Sequence, residues 1–396
     1  MSEYCQYEPE INAIDFRIGQ PNNITLNLEL ISEALKCLSD ENSQHFLNDY
    51  NVLQYSNVQG IPKIRKLFCE WLDKKNNELI EGGISNLIDN GFCSLGFELE
   101  NDYKIDSENL FFTNGVSGAI QLIVTSLCLP DDIILVENPT YHIMIDILQE
   151  LELKIYPINL DENGLNLEDL SNKLEFLHQS QNRIFLYCTP FHNNPSGISL
   201  SHVNKLALAD IANVYNNFYI LSDEAYHFLS WEKINSLPLA FYHPNFISIG
   251  TFSKIIGPSL RFGYFYCFNK EIISDIQFSP FLCSSGGTNT LSSLIVYYLI
   301  KKNKIDNHIE KVVNDLKSKC QLMVSKIKNY LDNILVIKSI PKGGYFLWVK
   351  LNIENATNFQ FDSQDYSKMS KNDLSKVFAF LEGFISECEL NDVTFH

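Results

Sequence analysis

What this 396-residue sequence lacks removes several classes of function at the outset. Basic residues are scarce: 30 Lys and Arg stand against 48 Asp and Glu, for a net charge of −18. A surface that negative repels phosphate backbones and anionic lipid, so neither a nucleic-acid nor a membrane partner is expected. A small anion is still admissible, because a local pocket can carry the opposite sign. The ten cysteines (5, 37, 69, 93, 128, 188, 267, 283, 320 and 388) contain no CxxC pair. Neither a zinc site nor a disulfide framework is expected; they read as small buried hydrophobes in a reducing compartment. Long apolar runs are missing too, those near 118–130 and 291–300 being too short or too interrupted to span a bilayer. The first residues, Met1-Ser2-Glu3-Tyr4-Cys5-Gln6, supply neither a basic n-region nor an apolar h-region, so no leader is expected there. The protein is therefore expected to be cytoplasmic, and the sequons at Asn23 and Asn355 to be chance matches. No internal repeat and no long linker interrupts the chain.

What remains is ordinary globular material, 45% hydrophobic and 20% charged, enough for two domains or one large α/β domain with a satellite. Segment 74–107 mixes Gly, Asn and charge without a sustained period and reads as a surface excursion, and 352–371 reads as a loosely held tail. Between them, strand-like apolar runs at Ile133–Val136, Lys154–Ile158, Ile184–Cys188, Tyr219–Leu221 and Phe246–Ile249 alternate with helix-like segments. The latter are Tyr141–Glu150, Leu167–Leu177 and His202–Tyr215. Strand and helix alternating at this spacing predict right-handed βαβ crossovers and a largely parallel sheet. Ligands of such sheets bind outside the carboxyl ends of the strands, so the residues just after each run deserve inspection.

Asn114-Gly115-Val116-Ser117-Gly118 opens an apolar helical stretch and can turn backbone N–H groups toward a phosphate, or simply cap the helix. Tyr141, after Asn138-Pro139-Thr140, can lie flat on a heterocycle or pack at the start of its own helix. Asn194, held extended before Pro195, can aim its amide into a cleft; Asn-Pro-Ser-Gly is equally good turn chemistry. Asp223-Glu224-Ala225-Tyr226 ends a strand with two carboxylates, which calls for a bound cation, or else Asp223 is a helix N-cap. Thr251-Phe252-Ser253-Lys254 sets a lysine among hydroxyls at a strand end, with Arg261 seven residues on. A buried lysine of depressed pKa suits Schiff-base chemistry; a surface lysine is the plain alternative. Taken in order, these parts form one coherent set that suits pyridoxal phosphate: a lysine, an acid for the pyridinium nitrogen, donors for the ring oxygen and a phosphate cradle.

The chain resembles the class I/II aminotransferases of the fold-type I pyridoxal-phosphate superfamily. The likeness runs from IDFRIGQP (14–21) through LQYSNVQGIPKIR (53–65) and GTFSKIIGPSLRFGY (250–264) to PKGGYFLWVKL (341–351). It is nearest the subgroup of 2-aminoadipate and kynurenine transaminases and the aminotransferase-like halves of some bacterial regulators. The resemblance implies a three-layer αβα large domain with a mostly parallel sheet, here 47–299. A smaller α+β domain would be formed by 1–46 and a shortened 300–396. It also implies a ping-pong exchange of an amino group between an amino acid and a 2-oxo acid, with pyridoxal 5′-phosphate as cofactor and no metal, in a homodimer with shared active sites.

By that resemblance, Lys254 forms the Schiff base and shuttles the proton, and Asp223 keeps the pyridine nitrogen protonated. Tyr226 and Asn194 bond the ring oxygen, and Tyr141 stacks on the ring. Gly115, Val116, Ser117, Thr251, Ser253 and Arg261 hold the phosphate. Tyr55 reaches into the neighbouring subunit's site, while Gly19 and Asn194 face substrate; apart from the resemblance, Arg17, or a lysine such as Lys342 or Lys350, is a candidate to hold the substrate carboxylate. Two departures stand out. Val116-Ser117 replaces the family's Ser-Gln, and no arginine follows Arg261 where the family carries its carboxylate clamp. Two alternatives therefore stay open: a lyase or decarboxylase on the same scaffold, or a catalytically impaired cofactor-binding paralogue.

Overall fold

The computed structural model describes residues 14–15, 19–21, 25–38, 54–80, 104–178, 183–284, 287, 289–352 and 393–394. By internal contacts the chain divides into two compact units. One comprises Met1–Gln20, Gln321–Ile340 and Trp348–His396; the other comprises Pro21–Cys320 and Pro341–Leu347. The first unit contains a short parallel pair, β1 (Ile14–Asp15) with β12 (Val393–Thr394). It also contains an antiparallel pair, β10 (Leu335–Ile337) with β11 (Val349–Leu351).

The second unit is built on an eight-stranded sheet, in the order β2-β9-β8-β7-β6-β3-β4-β5. Its strands are β2 (Leu110–Thr113), β3 (Ile133–Asn138), β4 (Lys154–Asp161), β5 (Gly164–Leu165), β6 (Ile184–Cys188), β7 (Phe218–Asp223), β8 (Phe246–Thr251) and β9 (Gly263–Tyr266). Neighbours from β4 through β8 pair in parallel. All five expected strand runs are present, most extended by one to three residues. The expected helices appear as His142–Glu150, Leu167–Leu177 and His202–Val214. What periodicity did not reveal is β9, which pairs antiparallel with both β2 and β8.

Side chains alternate along each strand, so one face carries Leu135, Leu186 and Ile220 in one apolar cluster. The other face carries Val136, Phe185, Tyr187, Leu221 and Ile249 in a second. Buried on both faces, the central strands read as continuous apolar runs, as a helix-covered parallel sheet requires. The apolar stretches near 118–130 and 291–300 fold as the helices Gly115–Leu127 and Thr290–Lys301. No helix among the described residues is long and apolar enough to cross a membrane.

Two sequence expectations need correction. Residues 74–78 are not part of a surface excursion: they finish the helix Pro62–Glu78, where Lys74 and Lys75 pair with Asp306. Most of the remainder of 74–107 lies outside the described residues, as does nearly all of 352–371. The cysteines are not uniformly buried either. Cys69, Cys188 and Cys267 are, but Cys283 is exposed, and all seven described cysteines are free thiols.

Candidate active site

Strands β3, β6, β7 and β8 run in parallel, and their carboxyl ends share one edge of the sheet. The order of travel reverses between β3 and β6, because β4 lies on one side of β3 while the chain returns to β6 on the other. Tyr141, Asn194, Tyr226 and Lys254 each follow one of these four strands within a few residues.

Asp223 is the last residue of β7 and is buried. Its Oδ2 accepts a hydrogen bond of 2.8 Å from the Tyr187 hydroxyl, and its Oδ1 accepts one of 3.1 Å from the Ala225 N–H. It caps no helix; the bond to Ala225 closes a local turn. Burial pushes its carboxyl above the ordinary aspartate range, while the two donors and the charge of Lys254 pull it back.

Lys254 lies three residues beyond the end of β8, in a turn, and is half-buried. The expectation that it ends the strand itself is thus off by one turn. Burial pulls its ammonium below the usual lysine value; Asp223 raises it and Arg261 lowers it further. The lysine is therefore within electrostatic range of a carboxylate and of a guanidinium.

Arg261 has left-handed backbone (φ 47°), and its guanidinium donates to the carbonyls of Pro258 (3.0 Å) and Asn114 (2.8 Å). It thereby sits at the first turn of helix Gly115–Leu127, whose N-cap residue Asn114 makes no side-chain cap. Gly115 has φ +84°, a backbone that L side chains rarely adopt, and a Cβ there would displace the Arg261 guanidinium. Open backbone donors, a helix dipole and a guanidinium in one place suit an anion. Val116 is half-buried and Ser117 is exposed on this turn. Nearby in sequence, the Thr251 hydroxyl bonds Ser253 Oγ at 3.0 Å and the Phe262 carbonyl at 3.0 Å.

The Asn-Asn-Pro-Ser-Gly segment divides its labour. Asn193 does the turn chemistry, its Oδ1 accepting from the Ser196 N–H and hydroxyl and its Nδ2 donating to Glu137 at 2.6 Å. Asn194 is released from that task, and its side chain lies close enough to the Tyr226 hydroxyl to favour its ionised form. Tyr226 is buried, with a hydroxyl raised well above the ordinary phenol by burial and by Asp223. Tyr141 stands at the N-cap position of its own helix without a side-chain cap bond, its ring edge-on to His142 at 5.7 Å, and is also within electrostatic range of the Tyr226 hydroxyl. Packing at its own helix and facing the site are thus not exclusive.

Sequence reasoning missed several residues. Tyr345 donates its hydroxyl to the Lys254 carbonyl at 3.1 Å, and its ring centroid lies 5.9 Å from Lys254 Nζ. Phe346 meets the Tyr226 ring edge-on at 5.7 Å. The signal was the Gly343-Gly344 pair ahead of them: at Gly344 (φ +75°) a Cβ would lie 2.6 Å from His192 Cβ, so only glycine lets this segment approach. Glu137 was missed as well. It is fully buried, accepts from Asn193 and from the Thr189 N–H, and burial pushes its carboxyl up to about 8.

Tyr55 is 86% exposed, Gly19 belongs to the first unit, and Arg17 lies outside the described residues.

The sequence profile of the family described as "Aminotransferase class I and II" matches residues 12–367. The aromatic-amino-acid aminotransferase 1 of Thermococcus litoralis is 26% identical over 347 residues, 86% of this chain and 74% of that protein. Among solved structures, the multiple substrate aminotransferase of Thermococcus profundus superposes with a TM-score of 0.70. It is 24% identical, over 86% of this chain and 77% of that one. The alpha-aminoadipate aminotransferase LysN of Thermus thermophilus gives a TM-score of 0.70 at 19% identity, over 96% and 82% of the two chains. At these identities the structural likeness shows a common fold.

Proposed function

The chain belongs to the class I and II aminotransferases, and from that premise we propose how its own residues serve a pyridoxal-phosphate-dependent transfer of an amino group between an amino acid and a 2-oxo acid. One observation carries the reading: Lys254 feels both Asp223 and Arg261, so a carboxylate, an amine of lowered basicity and an anion cradle share one strand edge. The donor set fits the cofactor. It offers cationic and N–H donors for a phosphate, a buried acid for a pyridinium, and two donors near a ring oxygen. When bound, pyridoxal phosphate supplies an electron sink for negative charge developing at the substrate Cα.

Lys254 is the catalytic amine. Burial favours its neutral form, which is the nucleophile and proton carrier the reaction needs. Asp223 would face the ring nitrogen, with its rotation locked by Tyr187 and Ala225. Tyr226 and Asn194, whose side chains are neighbours, would bind the ring oxygen together. Tyr141 would cover the ring. The Gly115, Val116 and Ser117 turn, with Thr251, Ser253 and Arg261, would hold the phosphate. Arg17, Gly19 and Asn194 are proposed to contact substrate.

We further propose a cytoplasmic homodimer with shared sites, a large domain over 47–299 and a small one from 1–46 and 300–396. The dimer rests on the resemblance, in which Tyr55 completes the neighbouring subunit's site; at 86% exposure its side chain is available for that role.

Borohydride reduction of the holoprotein followed by peptide mapping tests the reading, with the adduct expected on Lys254. An adduct on another lysine overturns the site. Amino donors offered without any oxo acid should convert the bound cofactor to its amine form once per site. Release of carbon dioxide or ammonia without an acceptor would replace the transferase by a lyase or decarboxylase.

A further inference from the structure

Tyr187 carries a hydroxyl where the sheet otherwise calls for a hydrocarbon. It is fully buried on β6, in the apolar cluster that also contains Phe185, Leu221 and Ile249. The β6–β7 register pairs Tyr187 with Leu221, so Asp223 lies two residues further along β7, on the same face and diagonal to the ring. That diagonal is within reach of an aromatic side chain, and the hydroxyl meets Asp223 Oδ2 at 2.8 Å.

A phenylalanine would fill nearly the same volume without bringing a polar atom into the layer, as Phe185 does two residues earlier. A buried tyrosine hydroxyl needs a partner, but here it takes a carboxylate whose other oxygen is already held by the Ala225 N–H. Both oxygens are thus pinned by single donors from different directions. The other titratable groups within electrostatic range of Asp223 are Lys254 after β8, Tyr226 after β7, Glu137 on β3 and, from the opposite face of β6, Cys188. Of these, Lys254 is the basic group, whose charged form Asp223 favours and burial disfavours. Burial keeps Glu137, Tyr226 and Cys188 in their neutral forms, so Tyr187 is the neutral group that donates directly to the carboxylate.

We infer that Tyr187 is a positioning residue for Asp223: its hydroxyl fixes the carboxylate's rotation and, by donating to Oδ2, keeps the proton that Asp223 shares with the cofactor's ring nitrogen on the nitrogen. This rests on the pyridoxal-phosphate reading above. The physical reason is that a donor to one carboxylate oxygen lowers the proton affinity of the whole carboxylate, leaving the shared proton on its partner.

The test uses pyridoxal phosphate labelled with ¹⁵N in the ring, bound to the full chain. In wild type the ring resonance should be that of a protonated pyridine. In Tyr187→Phe it should move toward the unprotonated value, and cofactor affinity should fall about tenfold, the lower end of the range for a hydrogen bond to a charged group. A folded Tyr187→Phe with an unchanged ring resonance overturns the inference and leaves the cofactor reading intact. A wild-type chain that takes up no pyridoxal phosphate overturns both.

Should Tyr187→Phe fail to fold, 3-fluorotyrosine at position 187 in the wild-type background decides instead. Its ¹⁹F resonance should move when the apoprotein is loaded, and that response should shrink in Asp223→Asn. A resonance that ignores the cofactor overturns the inference.

Discussion

The guanidinium of Arg261 and the carbonyl of Asn114 are 2.8 Å apart although 147 residues separate them in the chain. The bond joins the left-handed Arg261 to the first turn of helix Gly115–Leu127 and so assembles an anion cradle from two distant segments. Arg261 is largely exposed, so Arg261→Ala should leave the fold intact. Charge-assisted bonds to a phosphate are each worth about 1.5–3 kcal/mol, so cofactor affinity should drop by about ten- to a hundredfold. Equilibrium dialysis against pyridoxal phosphate measures this, and an unchanged affinity would remove Arg261 from the site.

Asp223→Asn is nearly isosteric and can still accept from the Ala225 N–H. It removes the charge that balances Lys254 and the proposed pyridinium. A neutral amide cannot hold the proton on the ring nitrogen, so the single-turnover rate with a good donor should fall by at least about a hundredfold, about 2.7 kcal/mol of barrier, at full cofactor occupancy. A near-normal rate would leave Asp223 only its local turn.

Glu137 gives a pH dependence with a definite sign. Its folded value of about 8 lies above the ordinary 4.5, so folding takes up a proton between those limits. Its contribution to stability is complete below 4.5 and is lost as pH rises toward and through 8, by at most about 1.4 kcal/mol per pH unit. Glu137→Gln keeps an acceptor for Asn193 and Thr189 but does not titrate. Urea melts at pH 5 and 7.5 should therefore show a smaller loss of stability in the variant; parallel slopes would contradict the assignment.

Tyr55 is expected to act in the neighbouring subunit. Neither Tyr55→Ala nor Lys254→Ala should be active alone. Random mixed dimers of the two contain one intact site, so a mixture should recover up to about a quarter of wild-type activity if sites are shared across a two-fold axis. Failure of the mixture to recover activity would confine Tyr55 to its own chain.

Arg17 is the candidate for the substrate carboxylate, since no arginine follows Arg261 in the sequence. Arg17→Ala should raise KM for amino donors by about one to two powers of ten, from the loss of a bidentate charge-assisted pair. The Lys254 adduct with the cofactor should be unaffected. Arg17→Lys should recover only part of the loss, because an ammonium lacks the planar fork. Unchanged KM in both variants would free Arg17 from this role.

The sequence by itself determined the parallel strands and the order of residues at their ends. Buried parallel strands must be apolar throughout, and a lysine, an aspartate or an asparagine just past such a run is conspicuous. Tertiary structure decided the rest. Strand β9 is buried like the parallel strands of the sheet, so nothing local marks its reversed direction; only its antiparallel pairing with β2 and β8 does. Asn193 and Asn194 are chemically identical, and their different tasks follow from where Glu137 and Tyr226 stand. Tyr187 looks like any aromatic of a buried strand until the register with β7 sets its hydroxyl against Asp223. Periodicity along one strand records which face a side chain takes, while the partner it meets there depends on the register of the next strand, a property of the pair and not of either segment.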